Sequence, residues 1–144
     1  IANNYELNKN ERLNKYEAVK GEVQIDIYLP HYSRLGIPAE DIIKQTAEFD
    51  GFIVVEINLL FALKIFTLAA RGRSPKGRKD FLDMISLCSK CDGGIIRPLV
   101  KKYELKPCLA VLKEMMSETS DLPELGLNRH RFSKVKKELI TKLF

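Results

Sequence analysis

Seven residues, V-Q-I-D-I-Y-L at positions 23–29, constrain this chain more than any other short stretch. Val23, Ile25, Ile27 and Leu29 alternate with Gln24, Asp26 and Tyr28, a period of two that predicts a strand with four aliphatics on one face. The expected strand is half-buried, with a hydrophobic layer directly behind it and Asp26 presented on the open side. A carboxylate held on a rigid element can coordinate a divalent cation, because hard cations take oxygen ligands and need them fixed. An ordinary strand with an acid on its solvent face reads the same way. Pro30 lacks the N–H needed to continue the pairing.

A second constraint is the apolar run that begins near Phe52 and passes into residues 58–71. Asn58 is read as a helix N-cap and Leu59 to Ala70 as a helix of strong formers, covered over most of its surface. Between the two stretches, Pro38-Ala39-Glu40-Asp41 looks like a first helical turn, extending through Ile42 and Ile43 toward Thr46. The competing reading is a strand from Ile43 to Phe49 that turns at Asp50-Gly51 into a strand from Phe52 to Ile57. The second of these strands is expected and the first stays open.

Ahead of the central strand, Leu13 to Ala18 is expected to pair with Glu22 to Leu29 through a turn at Lys20-Gly21. Asn3 to Asn10 is open between an edge strand and a loop, and His31 to Gly36 reads as a loop. Gly72 to Arg78 is expected to be a loop, and Lys79 to Cys91 a helix with Phe81, Met84, Ile85 and Cys88 inward. Gly93-Gly94 interrupts that pattern. Further helices are expected over Ile95 to Tyr103, Pro107 to Ser117 and Phe132 to Phe144, with a linker over Asp121 to Asn128. Strands first and helices after argue an α+β fold, a small mixed β-sheet followed by a helical bundle. Residues 1–57 would be its sheet-rich part and 58–144 its helical part, packed as one continuous domain.

Composition narrows the function classes only modestly. The 144 residues suit one domain with a real core, and a formal charge of +5 permits a phosphate-bearing partner without naming it. Cys88, Cys91 and Cys108 suggest no extracellular disulfide framework, so a reducing, cytoplasmic setting is the default. The C-x-x-C spacing of the first two lies in an apolar helical pattern and reads as buried cysteine rather than as a zinc or redox pair. No apolar run reaches the ~18 residues of a membrane span. The opening Ile1-Ala2-Asn3-Asn4 has neither an initiator methionine nor a secretion signal, which suggests the later portion of a longer protein.

Lys64 is the sharpest local anomaly, the only charge inside the apolar helix. Its ammonium must find solvent, a carboxylate or a ligand phosphate. Leu60, Lys64 and Arg71 share one helical face, which leads into a basic loop with Arg73, Lys76 and Arg78. Glycines and a serine there let backbone N–H groups approach phosphate, although no P-loop motif is present. Asp80 and Asp83, three residues apart, share a face of the next helix and are placed to pair with Lys64 or Arg71. The basic cluster Arg129, Arg131, Lys134, Lys136, Lys137 and Lys142 is read as the polar side of an amphipathic helix. His31 and His130 assemble no catalytic triad.

Taken together, V-Q-I-D-I-Y-L, the passage V-V-E-I-N-L-L-F-A-L-K-I-F-T-L-A-A-R and K-D-F-L-D-M-I-S-L resemble the later part of a DNA-polymerase-β-like nucleotidyltransferase, close to the minimal and AbiEii-like branches. The resemblance runs from Gly21 to Leu87. It implies an incomplete nucleotidyltransferase fold in which Asp26 is the third catalytic carboxylate and a magnesium ligand, and Lys64 the helical lysine. Lys64, Arg71, Arg73, Lys76 and Arg78 would face the phosphates of an NTP, with Asp80 and Asp83 orienting the cations. The implied reaction moves a nucleoside monophosphate from NTP to a hydroxyl of RNA, protein or a small molecule.

Ahead of the central strand, the family's Gly-Ser or Gly-Gly turn and the D-x-D pair that follows it do not occur. One aspartate cannot reproduce a two-metal clamp. Mg2+ and NTP are therefore expected only with those carboxylates, from a missing N-terminal segment or a partner chain. The alternatives are a catalytically silent nucleotide- or RNA-binding module and a toxin–antitoxin regulatory or interaction domain.

Overall fold

Alternation and turn chemistry agree over the first part of the chain, and three strands result. In the computed structural model, which describes residues 4–33 and 35–144, β1 (Glu6–Asn10), β2 (Lys15–Lys20) and β3 (Val23–Ile27) form a sheet in that order. Both pairings are antiparallel, with Leu7 opposite Ala18 and Ala18 opposite Ile25. The segment left open between strand and loop is thus an edge strand from Glu6, while Asn3 and Arg34 lie outside the described residues.

Residues directly opposite in such a sheet share a face, so Leu7, Ala18 and Ile25 lie together with Val23 and Ile27. The expected hydrophobic layer over that face is not found. Leu7, Val23, Ile25, Ile27 and Leu29 are all exposed. The physical reason lies in what the unit has to offer as cover. The helix in this unit, α1 (Ala39–Ile42), is a single turn of four residues, too short to seal five aliphatics.

Both readings of residues 38–49 hold a part of the truth. Helix α1 stops at Ile42, and β4 (Thr46–Phe49) then turns at Asp50-Gly51 into β5 (Phe52–Val55), a separate two-stranded sheet. A two-residue connection allows only antiparallel pairing. The chain divides into two compact units, Ile1–Val54 and Val55–Phe144. In chain order this is a small β-sheet portion followed by a helical bundle, an α+β architecture.

The second unit holds α2 (Ile57–Arg71), α3 (Pro75–Leu87), α4 (Gly93–Lys102), α5 (Leu109–Glu118) and α6 (Arg129–Leu143). Leu59, Phe61, Ala62, Ile65 and Leu68 of α2 are buried, as the apolar run requires. Phe81, Met84 and Ile85 of α3, Leu112 of α5 and Phe132 and Leu139 of α6 complete the core. Each such large side chain taken out of water contributes roughly 1.5–3 kcal/mol.

Asn58 is not the N-cap. Glu56 holds that position and its carboxylate accepts the backbone N–H of Asn58 and Leu59. Asn58 is buried instead, donating to Glu56 at 2.7 Å and accepting the backbone N–H of Asp92 at 2.8 Å, which ties α2 to the start of α4. A carboxylate two residues earlier won the cap because it could satisfy two orphan N–H groups, leaving the amide to bridge elements.

The loop expected over Gly72 to Arg78 is only three residues long. Ser74 caps α3, its hydroxyl accepting the Gly77 N–H, and Pro75 begins the helix. Gly77 is the residue that makes so tight a connection feasible, since a Cβ there would sit 1.9 Å from the carbonyl oxygen of Gly72. Gly93 plays a similar part at the α4–α6 crossing, where a Cβ would lie 2.8 Å from the Cα of Lys142. Gly93-Gly94 therefore begins a helix rather than merely interrupting one.

Candidate functional site

The short α2–α3 connection places Lys64, two turns before the end of α2, beside the first half of α3. Lys64 Nζ donates to Asp80 Oδ1 at 2.8 Å and to Asp83 Oδ2 at 2.7 Å, so the expected proximity is met by both acids. Arg71 closes the network from the last turn of α2, donating through a terminal nitrogen to Asp80 Oδ2 at 2.7 Å. Asp80 thereby spends one oxygen on each cation.

Burial differs sharply among the four. The Asp80 side chain is 2% exposed, Lys64 23%, and Asp83 38%. Burial by itself would lower the Lys64 pKa, but the hydrogen bonds from Asp80 and Asp83 and their charges outweigh it and hold the ammonium above the ordinary 10.5. Lys64 is charged throughout the neutral range. Two cations and two carboxylates sum to zero, so the face that leads into the basic residues is a balanced network at this point.

The basic residues that follow are deployed differently. Arg73 forms ion pairs with Glu118 and Glu114, and Arg78 pairs with Glu124 at 2.8 Å while its guanidinium lies over the Phe81 ring. These contacts tether the α2–α3 connection to α5, and α3 to the segment before α6. Lys76 is exposed in the first turn of α3. The Gly77 N–H, which the sequence offered to phosphate, is already bonded to Ser74.

Asp26 belongs to the first unit, where it lies directly opposite Glu17. Lys15, almost fully buried, reaches both carboxylates, Glu17 at 2.9 Å and Asp26 at 2.5 Å, and its ammonium stands 5.7 Å from the centre of the Tyr28 ring. Gln24 donates to Asp26 at 3.0 Å and Tyr28 at 3.4 Å. Burial acts to raise the Asp26 pKa, yet the hydrogen bonds from Lys15 and Gln24 prevail and keep it below the usual 3.8. Glu17 is likewise held below 4.5 by Lys15 and Asn10.

Depressed carboxylate pKa values mean that this contribution to stability is present above the unfolded values of 4.5 and 3.8 and is lost as pH falls through the lower folded ones. A thermal melt followed from pH 7 down to pH ~2.5 is expected to fall below pH ~4.5, and Lys15→Met to flatten that fall. An acid profile unchanged by the substitution would show that the pairing adds nothing.

Lys15 and Glu17 were missed from sequence because the turn was expected at Lys20-Gly21, one residue early, a register that sets Glu17 opposite Gln24 instead. A turn at Gly21-Glu22 sets Lys20 opposite Val23 and, counting back, Glu17 opposite Asp26. Among the described residues, no three His, Cys, Asp or Glu side chains converge as a metal site. Cys88 and Cys91 are buried free thiols whose pKa values burial pushes up to about 12 and about 11, which disfavours thiolate chemistry. No helix among the described residues is long and apolar enough to cross a membrane. No family model, no curated protein and no solved structure matches the chain.

Proposed function

We propose that this chain is a nucleotidyltransferase-like domain or fragment whose full protein moves a nucleoside monophosphate from an NTP to a hydroxyl acceptor, RNA or protein among the candidates, in the cytoplasm. The observation that carries the reading is the Lys64–Asp80–Asp83–Arg71 network. Its members are the residues through which the chain resembles that superfamily, and they meet on two helices joined by three residues. Lys64 and Arg71 would bind phosphate oxygens, and Asp80, bonded to both, would hold the two cations side by side.

The residues of this chain do not by themselves fit a pair of magnesium ions. Asp26 and Glu17 are the only acids brought face to face on β2 and β3, and the Lys15 ammonium is lodged on both. In this reading the ions come with two further carboxylates on another segment or partner chain, and no step is routed through them here. The Lys15 pairing favours a second reading, a catalytically silent nucleotide- or RNA-binding module.

One experiment separates the two. The chain alone, given Mg2+ and α-labelled NTP, is expected to bind weakly and transfer nothing, whereas the full gene product transfers label and loses it by about a hundredfold with Lys64→Gln. Robust transfer by the chain alone overturns the expectation for the fragment. A full product that carries the two carboxylates but never transfers selects the silent module.

A further inference from the structure

We infer that Asp83 is a placeholder for an anion: its carboxylate occupies on Lys64 the hydrogen-bonding position that an incoming phosphate takes, while Asp80 stays bound. This rests on the phosphate-binding reading above and adds how the site exchanges its resident charge for its ligand.

The network as it stands is electrically balanced, two cations against two carboxylates, and so exerts little net attraction on a phosphate. One carboxylate has to yield for an oxyanion to bind. Asp80 is poorly suited to do so. It is 2% exposed and both its oxygens are bonded, so releasing it would strand a buried carboxylate.

Asp83 differs on each count. It lies one turn further along α3, is 38% exposed, and holds Lys64 through a single oxygen at 2.7 Å. Rotated away, it is hydrated at once, and its partly exposed pair with Lys64 contributes less than the buried pair to Asp80. Lys64 bonds two acceptors, Asp80 and Asp83, so exchanging Asp83 for a phosphate oxygen keeps the number of its hydrogen bonds and brings in a more highly charged partner. Arg71, whose side chain is 43% exposed, has N–H groups beyond the one given to Asp80 and can take a second oxygen of the same anion.

The test uses inorganic tripolyphosphate without divalent metal, titrated calorimetrically into the wild-type chain and into Asp83→Asn. Asparagine keeps an oxygen for Lys64 to bond and removes the competing charge. Affinity is expected to rise about threefold to tenfold in Asp83→Asn and to be lost when Lys64→Gln is added. Should the double variant not fold, as judged by circular dichroism, shifts of the Lys64 side-chain resonances in folded Asp83→Asn locate the anion instead. Equal or weaker binding in Asp83→Asn, still dependent on Lys64, overturns the placeholder and leaves the phosphate-binding reading standing. Binding to none of these proteins at Lys64 overturns that reading, and the placeholder with it.

Discussion

Replacing Asp80 with alanine is expected to destabilise the helical unit by about 3 kcal/mol, and replacing Asp83 by less than about 1 kcal/mol. The two acids are one turn apart on α3 and both bond Lys64, so a count of ion pairs would rank them nearly alike. Burial separates them. Removing Asp80 takes an acceptor from Lys64, itself largely covered, and another from Arg71, and leaves a cavity on a buried face of α3. Removing Asp83 costs one contact that is only partly buried. Urea denaturation of both variants reads the difference directly, and equal losses would sink the claim that burial, not pairing, sets the ranking.

The second large effect is expected at Gly77, where alanine should cost about 3 kcal/mol or more. A Cβ at this position meets backbone, 1.9 Å from the Gly72 oxygen, 2.9 Å from the Gly72 carbonyl carbon and 3.3 Å from that of Arg71. No side chain can swing aside to relieve such a contact, so α3 must move away from the end of α2. That displacement would also pull Asp80 from Lys64 and Arg71. Thermal melting and tripolyphosphate affinity should therefore fall together, and retention of both at wild-type values would show that the turn adjusts more freely than its geometry implies.

These expectations also indicate how much was readable from the sequence. The α2–α3 pairing was legible because one lysine in an apolar helix has few choices, and two acids at a spacing of three answered it. The central strand was legible through alternation and the presence of a turn through glycine, but the turn lies at Gly21-Glu22, one residue later than expected. Unreadable from pattern was which side of that strand would be covered, because alternation fixes which side chains share a face but not whether another element packs there. The N-cap was misplaced by two residues for a related reason. Propensity favours asparagine, but Glu56 reached two N–H groups and the buried Asn58 was needed by Asp92. Local rules yielded to a contact between residues more than thirty positions apart.

The cation at Asp26 was hidden in another way. Lys15 and Glu17 sit in an unremarkable stretch, K-Y-E, and acquire meaning only once the strand register places them across from Asp26. A carboxylate that reads as vacant in one dimension can already have a partner in three.

The uncovered side of the first sheet has a practical consequence. In the order β1-β2-β3 the strand Val23–Ile27 is an outer one, so its backbone can template pairing with another extended chain, and its aliphatic row makes such pairing adhesive. Asp26 is the single charge in that strand. A charge within such a strand works against edge-to-edge pairing, but here Asp26 is already matched by Lys15, so the edge carries little net repulsion of its own.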